Sequence, residues 1–320
     1  MLKVKCDKDN HEDIGSKVIM PEKAVIVLND WRDIMGREEN IAVFQDTERR
    51  CKTNQRLKEE IARSIQAQKI ILESDGVERV FSDRVLQRNR HEKAAKVIVS
   101  KKRSYEAASA YRGKMVCVHN FASASNPGGG VTKGSSAQEE CLCRCSTLYF
   151  CLNTDKMWSG FYGPHRVAQD PIHNDDCIYT PGVIVLKTDE AMPRIMPEED
   201  WYSVDVITCA APNLRERPSN QMNSGDGQSR IRLSDREQLA VHEKRLRRIL
   251  DIAVAAEEEV VILGAFGCGA FENNPQAVAL AASHVLDDYL HAFETIEFAV
   301  YCSPRDEKNF GFFERAMQGK

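Results

Sequence analysis

The rhythm of apolar and polar positions changes near residue 96. Before it, residues 1–95 are the more polar and charged part of the chain. Residues 23–28 (KAVIVL) read as a short strand. In the run 46–73, Leu57, Ile61 and Ile65, and then Ile70 and Leu72, recur at near-helical spacing. That spacing predicts an amphipathic helix, broken once and lying against a neighbour. From residue 96 the pattern alternates between strands and helices. Strands are predicted at 97–99, 114–119, 178–186, 203–208, 260–263 and 295–300, where β-branched and other apolar residues cluster. Helices are predicted at 104–112, capped by Ser104, and at 234–256 and 275–293. Ser234 followed by Glu237 gives the second a capping box, and the Asn274-Pro275 step gives the third a proline in its first turn. Such alternation predicts a three-layer α/β domain. The segment 213–233, rich in Asn, Ser, Gly and Arg, reads as a mobile surface loop.

Composition narrows the class without changing this outline. The 320 residues are 42% hydrophobic and 29% charged, which is ordinary globular usage. No apolar stretch nears the roughly 18 residues that a membrane span needs, and the opening MLKVKCDKDNHEDIG has no signal-like apolar core. The formal charge of −4 gives no global attraction for nucleic acid. Eleven cysteines without a signal segment read as reduced thiols in a cytoplasmic protein.

Two glycine-rich turns carry the candidate chemistry. Asn126-Pro127-Gly128-Gly129-Gly130 follows the strand at 114–119, and Gln138-Glu139-Glu140 then opens a helix. A carboxylate pair there suits the helix dipole on a solvated turn; it equally suits proton transfer at a glycosidic oxygen beside a glycine-lined cleft. Both readings stand on the residues alone. The second turn, Gly264 to Phe271 (GAFGCGAF), lies between a strand and a helix start, where α/β proteins present N–H groups to phosphates. It is neither a P-loop nor a GxGxxG fingerprint. Tight strand–helix packing is the competing explanation.

Together these residues resemble a known family. NFASASNPGGGVTKGSSAQEECLCRCSTLY (120–149) is similar to the signature of the microbial-type poly(ADP-ribose) glycohydrolases, in which GGG precedes QEE by six to eight residues. VDVITCAAPNL (204–214) and VILGAFGCGAFENNP (261–275) follow in the same order as in that family, and the resemblance spans about 96–301. It implies a macrodomain-like three-layer α/β/α sandwich with a mixed β-sheet. In this reading 96–320 is the catalytic domain and 1–95 an N-terminal, mainly helical extension packed on it. It implies hydrolysis of the ribose–ribose O-glycosidic bonds of poly(ADP-ribose); attack from the chain end, releasing ADP-ribose, is the expectation, with internal cleavage left open. By position Glu140 is the general acid/base, Glu139 fixes the sugar hydroxyls and Gln138 braces the loop. Gly128, Gly129 and Gly130 let the backbone approach the terminal ribose and diphosphate. Gly267, Cys268, Gly269 and Ala270 offer N–H groups to the diphosphate, with Phe271 packed beside the substrate. Asn120 and Asn126 are further candidates for ribose contacts.

The expected partners are poly(ADP-ribose) or ADP-ribosylated protein, with no cofactor, no membrane and no sequence-specific nucleic acid. An ADP-ribose-binding module without turnover shares the glycine loops but does not need Glu140. A hydrolase of mono-ADP-ribosyl groups on protein or nucleic acid shares fold and ligand. Cys141, Cys143, Cys145 and Cys151, with His165, His173, Asp175, Asp176 and Cys177, invite a zinc reading. Cysteines two apart on a helix do not share a face, so buried thiols and no metal are expected. The basic cluster Lys244-Arg245-Leu246-Arg247-Arg248 and His242 read as an exposed helix face, with a minor role in holding polyanion. Trp31, Trp158 and Trp201 read as packing residues.

Overall fold

A computed structural model describes residues 36–221, 223–303 and 306–320. The strand expected at 23–28 and Trp31 lie outside these residues. Among the described residues seven strands form one sheet: β1 (Lys69–Ile71), β2 (Lys96–Ser100), β3 (Val116–Ala122), β4 (Cys177–Val185), β5 (Tyr202–Ala210), β6 (Val260–Leu263) and β7 (Thr295–Ala299). Their order is β1-β4-β5-β3-β6-β7-β2. From β5 through β2 neighbouring strands run parallel, while β4 is antiparallel to both β5 and β1. The mixed sheet expected from the family resemblance is therefore present.

Six described helices of eight or more residues flank it: α1 (Arg37–Thr53), α2 (Gln55–Ala67), α3 (Gln138–Cys145), α4 (Asp235–Ala255), α5 (Pro275–Leu286) and α6 (Lys308–Ala316). Side chains alternate between the sheet's two faces, and so does the core. Cys117, Ile207, Val261, Leu263 and Phe298 pack against α4, α5 and α6. Val116, Val118, Val206 and Ile262 pack with Phe44 of α1 and Leu142, Cys143 and Cys145 of α3 on the other face. Three layers result.

Local signals account for most helix starts. The Ser234 hydroxyl accepts from the Glu237 N–H, whose carboxylate answers the Ser234 N–H at 2.7 Å. Asn274 caps α5 by accepting from Gln276 N at 3.0 Å. The expected break in the run 46–73 falls at Asn54, whose side chain caps α2 through Leu57 N. Beyond it, Ile70 continues no helix and pairs with Ile178 as strand β1. The helix at 104 ends at Ala108 and begins beyond an Arg103 N-cap, so Ser104 is its first residue and not its cap. Among the described residues no helix is long and apolar enough to cross a membrane.

Polar chemistry was misplaced in two places. The basic cluster on α4 is not an open cationic face. Arg245 is fully buried; its guanidinium donates to Asp175 Oδ1 (3.0 Å) and to the carbonyls of Ala210 (2.7 Å), Ile172 (2.6 Å) and His173 (2.9 Å). Lys244 pairs with Glu73 and Asp175, and Arg247 with Asp288. His242 is buried too, with Nε2 2.8 Å from Asn273 Oδ1. The segment from 213 is also drawn inward: Asn213, Asn223 and Asp226 are buried and hydrogen-bonded to one another. Polar composition gave the wrong sign here because these groups satisfy each other away from water.

Candidate active site

Strands β3, β5 and β6 are parallel neighbours, so the loops leaving their C-terminal ends open at one edge of the sheet. Ligand crevices of open α/β sheets form there. The first loop holds the three glycines and the second leaves β5 at Ala211. The third contains Gly264 to Phe271. Phe266 of the third packs beside Phe121 at the end of β3, ring centroids 5.7 Å apart and planes tilted by 50°.

Helix α3 starts against β3 because Gln138 is used on both sides. Its Oε1 accepts from Phe121 N (2.9 Å), and its Nε2 donates to His119 O (2.8 Å) and Ser104 Oγ (3.0 Å). Glu139 and Glu140 then project inward. They are 3% and 7% exposed, so the solvated-turn reading of this pair is wrong.

Their surroundings differ. Glu139 Oε2 accepts from Ser123 N at 2.7 Å, and Oε1 faces Asn120 Nδ2 at 3.4 Å. Glu140 Oε1 accepts from Gly130 N at 2.8 Å, while its buried Oε2 has no hydrogen-bond partner among the described residues. Burial pushes the Glu139 carboxyl well above its ordinary range, and the Glu140 charge pushes it further. Burial also raises Glu140, opposed by the Gly130 N–H and the Arg144 charge. One carboxyl is thus held through both oxygens, and the other keeps one oxygen without a partner among the described residues.

Backbone shape makes this possible. Gly129 has φ +57°, and a Cβ there would stand 2.5 Å from Glu140 Oε1 and 3.1 Å from Glu139 Oε2. In the third loop Gly267 has φ +77°, and its Cβ would meet Ala211 at 2.6 Å. Asn273 ties that turn down, donating to Pro212 O (2.7 Å), Gly267 O (3.1 Å) and Phe271 O (3.2 Å). The Cys268 N–H is committed to Ala265 O at 3.1 Å. Those of Gly267, Gly269, Ala270 and Phe271 make no hydrogen bond among the described residues, and Gly269 and Ala270 are exposed.

Asn120 points inward, with Nδ2 between Glu139 and Thr208 Oγ1 (3.2 Å). Asn126 instead donates to Asn223 Oδ1 (2.9 Å) and Ser224 O (2.7 Å), joining the glycine loop to the segment after β5. The sequence reading missed Ser123, Thr208, Asn273 and Arg215. Ser123, Thr208 and Asn273 lie inside the motif segments 120–149, 204–214 and 261–275, and Arg215 stands one residue beyond the second.

Cys141, Cys143, Cys145 and Cys151 are buried free thiols, and burial pushes Cys141 up to about 11. Asp175 serves Arg245, while Asp176 Oδ1 accepts from Glu73 N at 2.6 Å. His173 Nε2 lies 3.7 Å from Asp226 Oδ2. Among the described residues no three His, Cys, Asp or Glu are grouped to hold a metal ion.

A mixed-sheet α/β sandwich with a buried, unequal carboxylate pair between glycine loops defines the class: a macrodomain-like protein. A family model for the catalytic domain of microbial-type PARG matches residues 38–188. The chain is similar to poly(ADP-ribose) glycohydrolase from Thermomonospora curvata, at 25% identity over 88% of this chain and 100% of that one, TM-score 0.72. It is similar to that enzyme bound to the inhibitor ADP-HPD, at 26% identity over 87% and 99%, TM-score 0.70. It is also similar to the Deinococcus radiodurans poly(ADP-ribose) glycohydrolase in complex with ADP-ribose, at 30% identity over 81% and 97%, TM-score 0.66. No curated protein matches it by sequence. This chain belongs to the microbial-type poly(ADP-ribose) glycohydrolase family.

Proposed function

We propose that this protein hydrolyses the ribose–ribose O-glycosidic bonds of poly(ADP-ribose), from the chain end, and releases ADP-ribose. The carrying observation is Glu140: buried, anchored through one oxygen by Gly130 N, with Oε2 unpaired among the described residues. A carboxyl so placed holds its proton and has one oxygen free to deliver it.

In the forward step, protonated Glu140 gives its proton to the departing ribose oxygen while the anomeric carbon takes on oxocarbenium character. The resulting carboxylate then takes a proton from water as that water's oxygen bonds to the anomeric carbon, which returns Glu140 to its acid form. Glu139 accepts from the ribose hydroxyls, its position set by Ser123 N and Asn120. The uncommitted N–H groups of Gly267, Gly269 and Ala270 take the diphosphate, and Phe271 packs against the sugar. The ten described cysteines are all free thiols, which supports action in the reducing cytoplasm.

The test compares wild type with Glu140→Gln on automodified, poly(ADP-ribosyl)ated protein. Release of free ADP-ribose by wild type, a loss of about 100-fold or more in the variant, and retained ADP-ribose affinity are expected. Polymer binding without release by either protein would move the reading to a binding module. Release of oligomers before monomers would overturn end-wise attack.

A further inference from the structure

The segment leaving β5 delivers an arginine to the same cleft. Leu214 N donates to Phe271 O at 3.0 Å, so this segment runs beside the third glycine loop. The next residue, Arg215, is half-buried, and its guanidinium carbon lies 5.2 Å from the centroid of the Phe271 ring. Two neutral acceptors orient it: Nε donates to Asn213 Oδ1 and Nη2 to Pro218 O, both at 2.9 Å. The Asn213 side chain is itself fixed, donating to Asp226 Oδ2 at 2.8 Å. Nη1 makes no hydrogen bond among the described residues.

Arg215 also forms no ion pair within 4.0 Å there, although the charges of Asp226, Glu272 and Glu140 all reach it. A guanidinium keeps its charge under such burial, and a desolvated cation is ordinarily paired. Here an aromatic face and two neutral oxygens hold the fork, and among the described residues no carboxylate lies within 4.0 Å of it. The planar fork suits phosphate oxygens.

We propose that Arg215 is a substrate-binding residue that takes a phosphate group of poly(ADP-ribose), completing the site from the side of the segment that follows β5. This rests on the glycohydrolase reading above. Phosphate recognition by a fixed cation weakens with salt, whereas a merely structural arginine leaves the salt dependence alone.

Arg215→Ala and Arg215→Lys are compared with wild type for ADP-ribose release from polymer across a sodium chloride series, with ADP-ribose affinity by calorimetry. Arg215→Ala is expected to raise KM about tenfold and to flatten its rise with salt. Arg215→Lys should restore the salt slope. A matching loss of ADP-ribose affinity assigns the phosphate to the terminal unit; an effect on polymer KM alone assigns it to the next unit. Arg215→Gln, which keeps a donor without the charge, replaces the alanine variant if that does not fold. Unchanged KM, salt slope and affinity overturn the proposal. Wild-type protein that releases no ADP-ribose overturns the glycohydrolase reading instead, and affinities of the variants for polymer and ADP-ribose still decide Arg215.

Discussion

Any side chain at Gly129 would put its Cβ 2.5 Å from Oε1 of Glu140, the oxygen that Gly130 N holds. The position also has φ +57°, which disfavours residues bearing a Cβ. Gly129→Ala should therefore displace the Glu140 carboxyl. Since displacements of about 1 Å can cost 10²-fold in rate, activity should fall about 100-fold or more. Stability should fall by about 1–3 kcal/mol. Turnover and urea unfolding check the two together; an active Gly129→Ala protein would remove the close packing from the explanation.

In the mechanism proposed above, proton donation by Glu140 sets the pH dependence. Burial raises its pKa, so the acid form persists above the ordinary glutamate range. The turnover rate is expected to fall as pH rises through that raised value, because the donor is then lost. A pH–rate profile checks this. A rate climbing steadily toward alkaline pH would sink the acid role.

Glu258 makes a separate prediction about stability. It is fully buried, neither oxygen receives a hydrogen bond among the described residues, and burial with the nearby Asp205 charge raises its pKa well above 4.5. The folded state then binds this proton more tightly than the unfolded chain. Its contribution is complete below the unfolded value of about 4.5 and is lost as pH rises through the folded value. Glu258→Gln should raise Tm near pH 8 and change it little near pH 4. An equal shift at both pH values would contradict the linkage.

Arg245 holds Asp175 and three carbonyls with one buried guanidinium. Arg245→Ala leaves buried Asp175 with Lys244 alone and strands three carbonyls, and should cost about 3–5 kcal/mol in urea unfolding. Arg245→Lys should also destabilise, because an ammonium lacks the planar fork that meets these acceptors. Full stability of the lysine variant would mean that charge alone suffices.

Much of the scaffold was legible because its signals are local. The β-branched runs gave β3 to β7 to within two or three residues at each end, and Ser234 and Asn274-Pro275 marked the starts of α4 and α5. Strand β1 was missed because Ile70 and Leu72 continue the helical spacing. Nothing nearby shows that Ile70 pairs with Ile178.

The residues by themselves determined the strand–helix alternation, the glycine turns and the presence of Gln138, Glu139 and Glu140 at a helix start. Each follows from the stereochemistry of a short window. Only the tertiary structure decided that the two glutamates are buried and unequal, with donors around Glu139 and a bare oxygen on Glu140. It alone turned Arg245 inward and set Arg215 against Phe271. Burial, charge and hydrogen-bond supply come from partners far along the chain. A carboxyl's proton affinity depends on those partners and on lost water, which residue type and spacing do not encode.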